Sequence, residues 1–186
     1  IMDLSVYQMV AAQAMFVNQG IYDKPTTILR IEDRNGNVIY SADYVANEAL
    51  NANIAHKVLL MMKGVVQFGT GASLRGGRKW GGIKYPMAGK TGTTQNNSDG
   101  WFMGLTPDLV TGIWVGAEDR AVRFKSMAWG QGARMALPIY GYYMQNVYKD
   151  KRIKISKEDF DEPIGYDPTI FECGSDDNQV DIDLGI

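Results

Sequence analysis

Apolar positions near the start of the chain recur at helical spacing. Val6, Met9, Val10, Ala14 and Val17 fall on one side of a 3.6-residue repeat. Ser5 precedes them and Gln8 stands three residues later, the pattern of a capping box. Asn18-Gln19-Gly20 ends the run with a glycine free to turn left-handed. The spacing predicts a helix over 6–18. A second run of Ile54, Val58, Met61, Met62, Val65 and Val66 predicts a helix over 52–68 that closes at Gly69. A third predicts a helix over 131–149, with Met135, Ile139, Tyr142, Tyr143 and Val147 as core candidates.

Between these runs the pattern is that of strands and turns. Segments 27–33 and 37–40 are separated by Asn35-Gly36, a strong short-range hairpin signal. Residues 69–84 are rich in Gly, Arg and Lys and read as a loop. Three strands follow, at 87–95, 100–105 and 110–116. Asn96-Asn97-Ser98-Asp99 and Thr106-Pro107-Asp108 supply the turns between them. Connections this short require antiparallel neighbours. The expected class is α+β: an antiparallel meander packed with helices, plus one small hairpin near 27–40. After Lys154 little periodicity remains, and no segment repeats.

At 186 residues the chain is long enough for one domain with a proper core. No apolar run approaches the roughly 20 residues needed to span a bilayer. The first residues lack the basic and apolar regions of a signal peptide. The chain begins on Ile1 rather than methionine, so it reads as a piece of something longer. Net charge is -2 but unevenly placed. From Glu158 onward there are ten acidic residues and no Lys or Arg, which leaves a basic body. Such a body attracts anionic polymers or carboxylates, or is a solvated surface. The single cysteine, Cys173, excludes an internal disulfide and a thiolate zinc cluster. Asp176 and Asp177 fit no calcium-loop spacing.

The candidate chemistry lies in "PMAGKTGTTQ", residues 86–95. A phosphate-binding loop would need a glycine at position 84, which is Lys84, and a helix after Lys90. Instead Thr91, Gly92, Thr93 and Thr94 follow, which favour a strand. In a strand, Lys90, Gly92 and Thr94 face one way and Thr91 and Thr93 the other. As an edge strand it could pair with an extended peptide, with Gly92 letting the ligand approach the backbone. Lys90 and the threonine hydroxyls would suit a carboxylate. The alternative is an edge strand whose lysine only blocks aggregation. His56, the single histidine, reads as a surface residue, and Met61 with Met62 as helix core filling.

The wider context, "AGKTGTT" followed by "SDGWFMGLTPDLVTGIWVGAEDR", resembles the C-terminal part of the transpeptidase domain of class A penicillin-binding proteins. These are the bifunctional enzymes of bacterial cell-wall synthesis. "QMVAAQAMFVNQGIYDKPTTILRIEDRNGNVIY", "GVVQFGTG" and "GARMALPIYGYYM" are similar to flanking segments of that domain, so the likeness covers roughly residues 4–150. It implies an incomplete fold like that of penicillin-binding proteins and serine β-lactamases. Residues 1–153 would be the C-terminal portion of the domain, and 154–186 an acidic, mostly irregular tail.

The resemblance implies that Lys90 serves the active-site hydrogen-bond network and favours an anionic substrate group. It implies that Thr91 and Thr93 contact the carboxylate of a peptidoglycan stem peptide or a β-lactam, with Gly92 leaving room. The Thr93 N–H would be half of an oxyanion hole. It also draws Asp99 and Trp101 toward the cleft, whereas their place after the motif reads as turn and core. No metal, organic cofactor or nucleic acid is expected. Membrane attachment would come only through an upstream segment, at the extracytoplasmic face of the bacterial cytoplasmic membrane.

Two family motifs are missing. No serine is followed by lysine three positions on, and no Ser-x-Asn occurs. Acyl transfer needs a positioned nucleophile and base, so the isolated 186 residues are expected to be inactive. The strand at 110–116 would also lack a neighbour, leaving Ile113-Trp114-Val115 as an edge prone to association. A β-lactamase or D,D-carboxypeptidase relative and a non-catalytic binding or assembly module stay open as alternatives.

Overall fold

The computed structural model describes residues 4–43 and 45–168. Helix α1 (Val6–Val17) starts with the expected box: Ser5 Oγ accepts from the Gln8 N–H, and the Gln8 side chain accepts from the Ser5 N–H. Strand β1 (Ile21–Asp23) pairs with β4 (Ala46–Glu48), a ladder that the sequence pattern did not reveal. Between them lies the hairpin of β2 (Arg30–Glu32) and β3 (Val38–Ser41). Its turn is organised by Asp33, whose carboxylate accepts from the backbone N–H groups of Asn35 and Asn37. Gly36 adopts φ 85° there.

Helix α2 (Ala52–Gln67) follows. Strands β5 (Ala88–Thr93), β6 (Asp99–Leu105) and β7 (Val110–Gly116) then form an antiparallel sheet in the order β5-β6-β7. A short α3 (Met127–Gly130) leads into α4 (Gly132–Lys149). The architecture is α+β, with helices on both faces of the three-stranded sheet.

The two faces are built differently. On one, Leu59 and Met62 of α2 meet Ala88 and Leu105, joined by Phe16 and Val17 of α1. On the other, Ala136, Leu137, Tyr140 and Met144 of α4 pack on Phe102, Met87 and Val66. Glycines set how closely α4 approaches. A Cβ on Gly104 would lie 2.2 Å from the Tyr140 ring, and one on Gly100 would lie 2.5 Å from Met135 Cε. The Phe102 and Tyr140 rings pack at 4.8 Å between centroids. Full burial pushes the Tyr140 phenol pKa well above its ordinary value.

Several expected core positions lie outward. Ile139, Tyr142 and Tyr143 of α4 are exposed, as are Ile54 and Met61 of α2. Each helix carries apolar residues on more than one side. The buried side of α4 is the one whose Tyr140 fits the hollow over Gly104.

His56 also departs from expectation, since it is 4% exposed rather than on the surface. The chain after α4 returns across α2 and covers it. Lys63 Nζ pairs with Asp159 Oδ2 at 2.7 Å, Phe160 enters the α2 core, and the Tyr166 ring meets His56 edge-on at 4.7 Å. Cys173, Asp176, Asp177 and most of the acidic tail lie outside the described residues.

Burial holds the His56 pKa below its ordinary value. Glu162 and Asp159 oppose that shift, and Lys63 adds to it. The unfolded chain therefore takes up a proton more readily than the native state. Stability should be full above pH ~6.5 and fall as pH drops through that value, until the depressed native pKa is reached. Urea unfolding of the wild type from pH 8 to 5 should show this slope, and His56→Gln should flatten it. An equal slope in both proteins would refute the assignment.

Candidate functional site

The segment Lys90-Thr91-Gly92-Thr93 occupies β5, at one margin of the sheet, and Lys90 and Thr93 are exposed. The Thr94 N–H donates to the Asp99 carbonyl at 3.2 Å. In an antiparallel pair, hydrogen-bonded and non-bonded residues alternate. Thr93 opposite Gly100 and Thr91 opposite Phe102 are then the non-bonded pairs, with their backbone groups directed to the open margin. Lys90 Nζ already uses one of them, donating to the Thr91 carbonyl at 2.7 Å.

The side chains divide as the alternation predicts. Gly92 lies opposite Trp101, and a Cβ there would stand 3.1 Å from the Trp101 Cβ. Lys90 lies opposite Met103 on the same face. Near α2 this face is covered by Leu59 and Met62. Toward Gly92 and Trp101 it opens into a cavity of about 950 Å³. Its other wall is the start of α1, from Leu4 to Gln13. Gly112 lets α1 come close, since a Cβ there would meet Val6 and Val10 at 2.8 and 2.9 Å. Trp101 and Trp114 meet edge-on at 6.5 Å on the cavity floor.

All four motif residues line this cavity. So do Asp99 and Trp101, whose place after the motif suggests turn and core. The connection before β6 is the reason. Asn96 and Asn97 adopt left-handed φ of 62° and 58°, and the chain turns early enough for Asp99 to begin the strand. Asp99 is buried, and its Oδ1 has no hydrogen-bond partner among the described residues.

The two threonine hydroxyls face the opposite way and are held by other elements. The Gly132 N–H, at the start of α4, donates to Thr93 Oγ1 at 3.0 Å. Thr91 Oγ1 lies 2.8 Å from Thr70 Oγ1, in the loop after α2. Neither partner was evident in the sequence. The available signals were glycines: Gly69 and Gly71 around Thr70, and Gly130 and Gly132 at the start of the last helix. Among the described residues no group of three or more His, Cys, Asp and Glu side chains could hold a metal ion. No described helix is long and apolar enough to cross a membrane.

Residues 2–118 match the family described as "Penicillin binding protein transpeptidase domain". Penicillin-binding protein 1A of Aquifex aeolicus (strain VF5) is 34% identical over 161 residues, covering 87% of this chain and 20% of that protein. The chain thus spans about a fifth of that relative's length. Among solved structures, penicillin-binding protein 1A from Haemophilus influenzae aligns with a TM-score of 0.68 at 22% identity, over 80% of this chain and 27% of that one. Penicillin-binding protein A from M. tuberculosis, as its penicillin G acyl-enzyme complex, aligns with a TM-score of 0.60 at 16% identity, over 78% of this chain and 32% of that one. Likeness at these identities shows the fold, of which this chain carries part.

The contact at Gly132 can be probed directly. A Cβ there would lie 2.2 Å from the Gly92 carbonyl oxygen and 2.5 Å from that of Trp101, both backbone atoms. Gly132→Ala should displace the start of α4 and cost about 1–3 kcal/mol, as overpacking does. Urea unfolding measures this, and an unchanged midpoint would contradict the packing described.

Proposed function

Because the chain belongs to the penicillin-binding protein transpeptidase domain family, we propose that it forms one wall of the active site of a serine-type D,D-transpeptidase that cross-links peptidoglycan. The observation that carries this is the open margin of β5, which presents Lys90, Thr91, Gly92 and Thr93 beside a cavity of about 950 Å³.

In the reaction, a serine hydroxyl attacks the carbonyl of the penultimate D-alanine of a stem peptide. The C–N bond breaks, D-alanine leaves with the added proton, and an acyl-enzyme ester remains. An amine of a second stem peptide then attacks the ester and restores the serine. A β-lactam enters the same first step, but its leaving amine stays tethered. No metal or organic cofactor takes part.

Each wall residue has a role suited to its geometry. Lys90 brings a cation next to the open backbone margin and favours an anionic substrate. The hydroxyls of Thr91 and Thr93 donate to the substrate's terminal carboxylate, and Gly92 leaves room for it. The outward Thr93 N–H donates to the developing oxyanion, a contact typically worth about 3 kcal/mol in the transition state. The serine and its lysine base come from residues outside these 186, since neither Ser-x-x-Lys nor Ser-x-Asn occurs here. The isolated chain is therefore inactive. Residues 1–153 are the C-terminal portion of the transpeptidase domain, and 154–186 an acidic, mostly irregular tail. The whole protein works at the extracytoplasmic face of the bacterial cytoplasmic membrane, to which it is anchored.

A fluorescent penicillin tests the assignment. The full-length protein should be covalently labelled, and the 186 residues alone should not. Lys90→Ala in the full-length protein should slow acylation by about 100-fold, in the range for losing one aimed charge or donor. Labelling of the isolated chain would reveal a nucleophile among these residues. A full-length protein that never labels would favour a binding or assembly module.

Among the described residues, β7 has no strand partner along its second margin, and Trp114 on it is exposed. This margin pairs with another copy or with another chain when the rest of the domain is absent. Light scattering of the 186-residue chain should show mass rising with concentration. A monomer across a wide concentration range would rule the pairing out.

A further inference from the structure

We infer that Thr70 is a positioning residue for Thr91, a role that rests on the reading of β5 as the wall receiving the substrate's carboxylate. The two hydroxyl oxygens lie 2.8 Å apart although the residues are 21 positions apart in sequence. Thr70 itself is exposed, so its side chain fills no core space.

The loop holds Thr70 there through its neighbours. The Gly69 N–H donates to the Gly64 carbonyl at 3.0 Å, and the Gly71 N–H to the Val65 carbonyl at 2.9 Å. A Cβ at Gly69 would stand 2.8 Å from Val65 Cα, and one at Gly71 would stand 3.2 Å from the Val65 oxygen. Two glycines thus fold the chain tightly onto the end of α2 and aim the residue between them at β5.

Proton counting gives the contact a direction. A carboxylate only accepts, and each hydroxyl has one proton to donate. If Thr91 gives its one proton to a carboxylate, its oxygen must be the acceptor in the contact with Thr70. Thr70 is then the donor, so the chain runs from Thr70 to Thr91 to the carboxylate, each bond polarising the next. Without Thr70, the Thr91 hydroxyl loses the contact that fixes its rotor. Thr93 is prepared in parallel, since its oxygen accepts the Gly132 N–H and its proton is left to donate. The ends of two different helices therefore orient the two hydroxyls of one strand.

The test uses the full-length protein and resolves β-lactam acylation into a binding constant and a chemical rate. Thr70→Val should weaken binding of a carboxylate-bearing β-lactam about threefold to tenfold, the range expected for one hydrogen bond, and leave the chemical rate nearly unchanged. Thr70→Ser should restore wild-type binding. The methyl ester of the same β-lactam should bind wild type and Thr70→Val alike. A merely structural role would weaken acid and ester equally, and serine need not rescue it; either result overturns the inference. If the wild-type protein is acylated but Thr70→Val matches it on both ligands, only the role of Thr70 falls. If the wild type is not acylated at all, the reading of the wall falls with it.

Discussion

The closeness of α4 to the sheet is the constraint on which the rest depends. Gly100 and Gly104 leave hollows in β6, and Gly132 removes the side chain at the point of nearest approach. Tyr140 fills one hollow and buries its ring against Phe102. With α4 seated this deeply, its first N–H reaches the Thr93 hydroxyl. The same contact that completes the core therefore orients a side chain at the sheet's margin. An interior packed to the density of a crystal transmits such placement with little slack.

The sheet's two faces have different duties. The face under α4 is closely filled with buried apolar side chains, which back β5. The opposite face is covered by α2 and, over Gly112, by α1, and is left open toward Gly92 and Trp101. A strand backed on one side and open along its margin can meet an extended ligand without first breaking pairs of its own. The chain thus holds a backed strand beside an open cavity, and it spans about a fifth of the matching Aquifex protein.

The segment after α4 adds a separate clasp. Phe160 and the Lys63–Asp159 pair fasten it to α2, and Tyr166 closes over His56. This helix also ends at the loop that carries Thr70. The clasp and the margin of the cleft therefore share one supporting element.

Local chemistry made much of this architecture legible in the sequence. The capping box at Ser5 and Gln8, the three long helices, and the meander of β5, β6 and β7 all follow from spacing and turn residues within a few positions of one another. The strand character of Lys90 to Thr93 followed from β-branched residues where a phosphate loop would need a helix. Tertiary structure alone decided which side of α4 is buried, that β1 pairs with β4, and that His56 is covered. It alone brought Thr70 and Gly132 to the two threonines. The physical reason is range: periodicity and capping act within one or two turns of chain, whereas a hydroxyl's partner 21 or 39 residues away is set by how whole elements pack.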